Sequence, residues 1–173
     1  MRGVGKTGPR PQSWDDPRRR AIGCALAKRT GDPLSDVGLT HVALPAGDLE
    51  KSIAFYAHYA RMEIVHRRRD SERGSDVVWL ADGTRPFVIV LIAVEKVEHP
   101  MKPIAHLGVG CASRDEVDRL CDDARRTGVL LLGPVDSGPP VGYWALLSDP
   151  DGHTLEISFG QEVGRTVSGA NQP

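Results

Sequence analysis

The stretch Asp149-Pro150-Asp151-Gly152-His153-Thr154-Leu155-Glu156-Ile157-Ser158-Phe159 joins a turn to a strand. Its first four residues are typical of a tight hairpin turn. Apolar and polar residues then alternate, which indicates a strand with one buried face. Leu155, Ile157 and Phe159 form the apolar face, and Glu156 points to the other side. Because a carboxylate inside an apolar strand needs a partner, Glu156 is the first candidate functional residue.

Two other predicted strands, residues 37–44 and 104–111, place a histidine in the same way. In the first, Val42 and Leu44 point to one side and His41 to the other. In the second, His106 points away from an apolar face that suits a helix. Three strands therefore put two imidazoles and one carboxylate on faces that the helix-packed core does not need.

The pattern of strand, helix and three strands occurs twice, and His41 and His106 are offset by 65 residues. Asp48 is predicted to cap the first helix, Ser113 caps the second with Glu116 completing a capping box, and Gly128 ends it. The remaining predicted strands cover residues 62–68, 76–81 and 86–94, then 129–135, 142–148 and 153–160. This repeat predicts an α+β fold of two similar βαβββ modules that pack against each other.

Composition sets the domain boundaries. Residues 1–36 are rich in Gly, Pro, Arg and Lys and lack sustained periodicity, so we expect a flexible N-terminal extension. Residues 37–163 form the predicted domain, with modules at 37–95 and 104–163, and residues 164–173 form a tail.

Charge and cysteine content exclude several classes of protein. Among 173 residues the net charge is −1 and aromatic residues make up 5%, which argues against a nucleic-acid partner. No apolar run approaches the roughly 20 residues that a membrane span needs. Cys24, Cys111 and Cys121 form no CxxC pair, so we expect reduced thiols in a cytoplasmic protein.

Two imidazoles and one carboxylate with open coordination positions form a facial triad for a catalytic divalent metal. A lone histidine on a strand is usually a surface or satisfied core residue, but equivalent positions in a repeat favour metal binding. The sequence therefore predicts one divalent ion bound by His41, His106 and Glu156. Fe(II) or Mn(II) suits this donor set, with Zn(II) or Ni(II) as the alternatives.

Four stretches of the chain resemble the glyoxalase / bleomycin-resistance / extradiol-dioxygenase superfamily, also called the vicinal oxygen chelate superfamily. They are Leu39-Thr40-His41-Val42-Ala43-Leu44, residues 48–56, residues 104–109, and residues 149–157. The resemblance covers about residues 37–163. It implies that the two βαβββ modules form a curved mixed sheet around a metal-binding cavity, and that the metal chelates neighbouring oxygens of a small-molecule substrate. It also implies a homodimer, in some members with each metal site shared between chains.

The chain departs from each subfamily that it resembles. Glyoxalase I-type enzymes carry a fourth ligand, a Glu, on the last strand of the first module, whereas residues 86–94 hold no Asp, Glu, His or Gln, and Glu95 lies past the strand. Three protein ligands are the number in extradiol dioxygenases and fosfomycin-resistance transferases. Those proteins have a Tyr ten residues before the metal Glu, and Leu146 stands here. The dioxygenases also use a histidine from the first half that does not bind the metal itself, and Val90 or its neighbours stand at that position here.

We therefore expect an enzyme that is dioxygenase-like. A glyoxalase-like lyase or isomerase, with Glu156 as a candidate base, is the second interpretation. A bleomycin-resistance-like protein, which sequesters a ligand and needs no metal, is the third. Such a binder has no reason to keep two histidines and a glutamate in place, so the triad favours the enzyme.

The remaining candidates are minor. If position 149 pairs with 152, Tyr143 shares the face of Glu156 and lines the pocket, whereas the spacing of the family's tyrosine favours Trp144. His153 is predicted to be structural. Arg67–Arg69 is predicted to be a solvated strand end, with binding of an anionic substrate as the alternative, and His99 is predicted to be solvated, with a place at the pocket rim as the alternative. The sequence suggests no chemistry for His58 and His66, and Cys111 and Cys121 are predicted to pack in the core.

Overall fold

The structure is a computed structural model that describes residues 38–72 and 74–169. The predicted N-terminal extension, residues 1–36, therefore lies outside the described residues, as do Val37 and the end of the tail, residues 170–173. Within the described part of the chain, no helix is both long and apolar enough to span a membrane.

The first module contains one helix and four strands. In chain order they are β1 (His41–Ala46), α1 (Leu49–Ala60), β2 (Glu63–Arg69), β3 (Asp76–Ala81) and β4 (Val88–Ala93). The strands form one sheet in the order β1-β4-β3-β2. The β1 and β4 strands are parallel, and the other neighbours are antiparallel. This is a βαβββ unit, as the repeat predicts.

The second module repeats this arrangement. Its elements are β5 (Leu107–Gly110), α2 (Arg114–Thr127), β6 (Leu130–Asp136), β7 (Tyr143–Ser148) and β8 (Thr154–Phe159), followed by the short helix α3 (Val163–Val167). The order β5-β8-β7-β6 matches that of the first sheet. The predicted α+β fold of two βαβββ modules is confirmed, and the strands form two four-stranded sheets.

The first strand of each module begins later than predicted. The β1 strand starts at His41 instead of residue 37, and β5 starts at Leu107 instead of residue 104. Residues 103–105 bend the backbone before β5, where Pro103 has no N–H for a strand ladder. As a result, His106 precedes β5 directly and lies at the end of a loop.

The predicted helix caps are confirmed. The Asp48 carboxylate accepts a hydrogen bond from the Lys51 N–H at 3.1 Å, and the Ser113 hydroxyl accepts one from the Glu116 N–H at 3.1 Å. The Glu116 carboxylate reaches back to the Ala112 N–H, one residue before the cap, at 2.7 Å. Gly128 ends α2 with a left-handed φ of 75°, a conformation that glycine adopts without a steric penalty.

One apolar core lies between the helices and the covered faces of both sheets. Leu44 and Leu91 contribute to it from the first module, and Val117, Leu155 and Ile157 from the second. Strand alternation then leaves the opposite face of each sheet without a helix. We call these the open faces, and both carry the candidate residues.

The turn at residues 149–153 joins the two modules through polar contacts. Asp151 accepts hydrogen bonds from the Gly47 N–H at 2.9 Å and the Ser52 hydroxyl at 3.1 Å, at the start of α1. The Tyr56 hydroxyl donates to Asp149 at 3.1 Å. Burial raises the pKa of both Tyr56 and Asp149. Asp149 and Asp151 of this turn therefore link the two modules through hydrogen bonds.

His153 is structural, as predicted. It is buried, and its Nδ1 accepts a hydrogen bond from the Met101 N–H at 2.9 Å. Its Nε2 therefore carries the proton and donates to the Pro45 carbonyl at 3.0 Å. One neutral imidazole thus ties β1, the segment between the modules and β8 together.

Replacing Asp151 with alanine should lower the free energy of unfolding by about 1–3 kcal/mol, because two donors lose a shared acceptor. Urea denaturation of Asp151→Ala measures the loss. Asp122→Ala is the matched control, since its carboxylate is exposed and pairs only with Arg125 on the surface of α2. Equal stability of the two variants would contradict the role given to the turn.

Candidate metal centre

Two of the three predicted ligands lie together on the open face of the second sheet. Glu156 sits in the middle of β8, opposite Gly108 of β5, and is 8% exposed. His106 directly precedes β5. The His106 Nε2 atom lies 3.5 Å from the Glu156 Oε2 atom. The parallel pairing of β5 and β8 thus places an imidazole beside a nearly buried carboxylate.

Each member of this pair is oriented by a further hydrogen bond. The His106 Nδ1 atom lies 2.9 Å from the Ile104 carbonyl, and an N–H on Nδ1 is the only arrangement that satisfies that acceptor. The Nε2 atom then faces Glu156. On the other side, the Gln161 side-chain amide donates to Glu156 Oε1 at 2.6 Å, which leaves Oε2 toward His106. Such supporting contacts are typical of metal ligands.

The geometry of the pair suits a shared ion. Two ligand atoms that each lie about 2.1 Å from one ion are themselves about 3.0–3.4 Å apart, and the observed 3.5 Å is close to this. Space is available beside the pair, because a Cβ at Gly108 would have only Glu156 Oε1 within reach, at 4.0 Å. The donor set, one imidazole and one carboxylate, fits a divalent cation.

His41 is not brought to this pair within one chain. It is exposed at the start of β1, and its Nδ1 lies 3.0 Å from the Thr40 hydroxyl. Among residues 38–72 and 74–169, no three His, Cys, Asp or Glu side chains are grouped closely enough to hold a metal. The role of His41 as the third ligand therefore stays a prediction.

The open face of the first sheet offers no further acidic ligand from its last strand. Strand β4 reads Val-Ile-Val-Leu-Ile-Ala, and pairing with β1 puts Val88, Val90 and Ile92 on the face of His41. Glu95 lies beyond the strand. Farther across this sheet, the His66 ring packs against Trp79 with ring centroids 5.0 Å apart.

The register predicted for the last hairpin is wrong by one residue. Asp149 donates its N–H to the His153 carbonyl at 2.8 Å, so three residues form the loop instead of two. Gly152, with a φ of 89°, supplies the left-handed position that three-residue hairpin loops need. Leu146 therefore pairs with Glu156, and Ser148 pairs with Thr154.

This register moves Tyr143 away from the candidate site. Tyr143 pairs with Phe159 on the helix-covered side, and its hydroxyl donates to Asp118 of α2 at 2.5 Å. That hydrogen bond raises the pKa of Tyr143 to about 12. Trp144 shares the face of Glu156 instead, in agreement with the spacing of the family's tyrosine.

The other candidate residues make structural contacts or lie on the surface. Burial raises the pKa of the Cys111 and Cys121 thiols, so neither is an activated nucleophile, and Cys24 lies outside the described residues. His99 is exposed between the modules. Surface ion pairs occupy the remaining side chains, namely His58–Asp123, Arg67–Glu50, Arg68–Asp70 and Arg69–Asp76.

The sequence interpretation missed Gln161. It follows β8 by two residues and lies five residues after Glu156. Strand periodicity does not apply beyond the strand end, so alternation gives no reason to single it out. A polar amide just past the strand that carries the ligand was the available signal.

Gln161→Ala is expected to weaken Mn(II) binding roughly tenfold, because supporting contacts of metal ligands typically contribute 10- to 100-fold. Isothermal titration calorimetry measures the affinity, and thermal unfolding of the apoprotein checks the fold. Val163→Ala, an exposed position two residues along, is the control. An unchanged affinity in Gln161→Ala would show that the 2.6 Å contact does not position Glu156.

Comparisons with known proteins agree with this architecture. The family model of the Glyoxalase/Bleomycin resistance protein/Dioxygenase superfamily matches residues 38–157, and the chain belongs to this superfamily. An uncharacterized protein of Pseudomonas aeruginosa is 36% identical over 129 residues, which cover 73% of this chain and 91% of that protein.

Relatives with named activities differ from one another. A lactoylglutathione lyase of Salmonella typhimurium is 30% identical over 132 residues, covering 73% of this chain and 96% of the lyase. A metapyrocatechase of Geobacillus stearothermophilus is 29% identical over 135 residues, covering 78% of this chain but 38% of that enzyme. These relatives therefore share the superfamily, whereas the reactions that their names state differ.

Solved structures share the fold. The fosfomycin resistance protein FosX of Listeria monocytogenes, in complex with Mn(II) and a dihydroxypropylphosphonic acid, has a TM-score of 0.58 and 19% identity, covering 77% of this chain and 99% of FosX. Glyoxalase I of Leishmania major has a TM-score of 0.59 and 23% identity, covering 78% of this chain and 95% of that enzyme.

Proposed function

We propose that this protein is a divalent-metal-dependent enzyme of the vicinal-oxygen-chelate type, dioxygenase-like, acting on a small substrate with neighbouring oxygens. One observation carries the proposal. His106 and Glu156 lie 3.5 Å apart on an open sheet face, and each is fixed by a separate hydrogen bond. A surface ion pair has no need of two supporting partners, whereas a metal ligand set does.

The third ligand, His41, is proposed to come from a second copy of the chain. His41 is exposed on β1, and both β1 and β5 are edge strands of their sheets. Edge strands are usually covered, which favours a homodimer in which the two edges approach each other. In that dimer each metal site combines His106 and Glu156 of one chain with His41 of the other. Chromatography with light scattering should give a dimer at micromolar concentration.

Fe(II) or Mn(II) is the proposed ion, because two imidazoles and one carboxylate leave positions open for oxygen ligands. The Mn(II) in the FosX structure supports this choice, and Zn(II) and Ni(II) are the alternatives. When bound, such an ion polarises two neighbouring substrate oxygens and stabilises negative charge that develops on them.

Neighbouring groups orient the proposed ligands for metal binding. The Ile104 carbonyl keeps the proton of His106 on Nδ1, so that Nε2 presents its lone pair. Gln161 occupies one oxygen of Glu156 and leaves the other free to bind. Glu156 as a whole is 8% exposed, so its carboxylate is largely shielded from bulk water.

A glyoxalase-like lyase or isomerase is the second candidate, and similarity to the Salmonella lactoylglutathione lyase favours it. In such an enzyme Glu156 is a candidate base. The apolar β4 strand argues against it, because the acidic fourth ligand of glyoxalase I-type sites has no counterpart among Val88–Ala93.

Two assays separate the candidates. Fe(II)-loaded protein should consume oxygen with catechol-type substrates in an oxygen electrode. Protein loaded with Ni(II) or Zn(II) should show little turnover of the hemithioacetal of methylglyoxal and glutathione. Rapid hemithioacetal turnover without oxygen uptake would replace the dioxygenase by the isomerase. Protein that is purified without added metal and retains none even after incubation with these ions would point to a bleomycin-resistance-like binder.

A further inference from the structure

The open face of the second sheet differs on the two sides of Glu156. Strand pairing arranges four residues in a row across the sheet: Gly108, Glu156, Leu146 and Leu132. The glycine side leads to the β5 edge, and the leucine side leads to β6. Neighbouring strands are about 4.8 Å apart, so Leu146 lies directly beside the carboxylate.

The glycine side is open. At Gly110, the next residue of β5 on this face, an added Cβ would meet nothing within 4 Å, and at Gly108 it would meet only the Glu156 carboxylate at 4.0 Å. Gly108 and Gly110 also line a cavity of about 380 Å³ whose other walls include Leu39, Arg85 and Phe87 of the first module. On the opposite side of Glu156, a bound substrate would meet the side chains of β7 and β6 instead.

The other side is an apolar wall formed by Leu132, Trp144 and Leu146. Leu132 is 48% exposed, and Trp144 and Leu146 are half-buried, so their surfaces are available. The Trp144 indole N–H donates to the Ser137 hydroxyl at 2.9 Å. The polar atom of the ring therefore already has a partner within the chain, and the remaining surface of the ring is apolar.

The wall lacks a cation. Among the paired residues of this face, which also include Val135, Ser148, Thr154 and Ser158, none is Lys or Arg. Arg114 lies on the helix side, where it stacks on Tyr143 and pairs with Asp136 at 2.5 Å. An anionic group placed on the wall would therefore lose hydration without gaining a partner.

We infer that the substrate carries an uncharged apolar substituent, aryl or alkyl, next to its two neighbouring oxygens, and that this substituent lies on Leu132, Trp144 and Leu146. The inference rests on the proposed function, because the metal pair fixes where the oxygens bind. It excludes substrates whose substituent is a phosphonate or carboxylate.

Three small chelators that bind metals through neighbouring oxygens test the wall on full-length Mn(II)-loaded protein. They are acetohydroxamate, benzohydroxamate and succinomonohydroxamate, which carries a free carboxylate, with affinities measured by calorimetry. Burial of the phenyl ring should make benzohydroxamate bind roughly tenfold tighter than acetohydroxamate. Succinomonohydroxamate should bind no tighter than acetohydroxamate. Titration of the three hydroxamates with free Mn(II) corrects for their intrinsic differences.

Two variants locate the effect. Trp144→Ala and Leu132→Ala should each reduce the benzohydroxamate preference severalfold and leave acetohydroxamate affinity unchanged, since neither residue adjoins Glu156 and a methyl group does not reach them. Tyr143→Phe is the control, because Tyr143 adjoins Trp144 but faces α2. A preference that survives both wall variants would overturn the inference even if one of them proved unstable.

The outcomes separate this inference from the proposed function. If acetohydroxamate and benzohydroxamate bind equally, or if succinomonohydroxamate binds most tightly, the wall does not select an apolar substituent, and the metal site stands. If none of the three chelators binds to the metal-loaded protein, the chelating site itself is wrong, and the inference falls with it.

Discussion

Replacing Glu156 with glutamine is expected to lower the affinity for Mn(II) by more than about 100-fold, the upper range for supporting contacts, because a ligand itself is lost. A neutral amide oxygen is a much weaker ligand for a divalent cation than a carboxylate oxygen. The fold should persist, since the glutamine side chain has the same length and its oxygen can still accept the hydrogen bond from Gln161.

Calorimetric titration of Mn(II) into Glu156→Gln apoprotein measures this effect, with thermal unfolding as the check on the fold. Ser158→Ala is the matched control, because Ser158 lies two residues along β8 on the same face and donates only to the Val109 carbonyl at 3.3 Å. Wild-type affinity in Glu156→Gln would remove Glu156 from the ligand set and with it the proposed chemistry.

His41→Ala is expected to produce a loss of similar size, although His41 belongs to no cluster of three potential metal ligands among residues 38–72 and 74–169. Stability should hardly change, because the side chain is exposed and its only hydrogen bond in the structure is to the adjacent Thr40. The affinity of His41→Ala for Mn(II), compared with its unfolding temperature, separates ligand loss from misfolding.

His66→Ala is the control for removing an imidazole from the same face of the first sheet, since His66 packs on Trp79 instead of approaching the predicted ligands. The control should keep wild-type metal affinity. Equal losses in both variants would indicate a nonspecific effect of histidine removal, and full metal occupancy in His41→Ala would restrict the site to one chain's His106 and Glu156.

Strand and helix periodicity was sufficient to predict the fold. Alternation around Leu155 and Ile157 identified the covered face of β8, and both residues are fully buried. The same alternation put Glu156 and His106 on one open face, where they meet. Such patterns are local, and a strand that is half-covered by a helix expresses them directly in its sequence.

Two features of the site depended on information that periodicity does not contain. The hairpin register changed by one residue because Gly152 adopts a left-handed conformation and extends the loop, which exchanged Tyr143 for Trp144 beside Glu156. A one-residue change in register reverses every side chain, so small errors in turn geometry have large effects on a site.

Local sequence patterns also do not predict the contact between Gln161 and Glu156 or the position of His41. Gln161 follows the end of β8, where no repeating face exists. The distance of His41 from the pair depends on how modules pack, within a chain or between copies, and the sequence of one module does not encode that choice.

Mixing two variants that each lack one proposed metal ligand tests the shared metal site most directly. His41→Ala chains and Glu156→Gln chains are each expected to bind Mn(II) poorly. After equimolar mixing and exchange of subunits, half of the dimers should be mixed, and each mixed dimer regains one complete site. The mixture should then bind about one tight ion per four chains, as follows from random pairing of a two-fold symmetric dimer.

Equilibrium dialysis of the mixture against Mn(II) measures this stoichiometry, with a mixture of His106→Ala and Glu156→Gln chains as the control. The control should bind no tight ion if both of those ligands belong to the same chain's half-site, because the His106→Ala chain lacks the imidazole and the Glu156→Gln chain lacks the carboxylate. Recovery in the first mixture alone is the result that we predict. No recovery in either mixture, although subunit exchange is complete, would contradict a site built from His41 of one chain with His106 and Glu156 of the other.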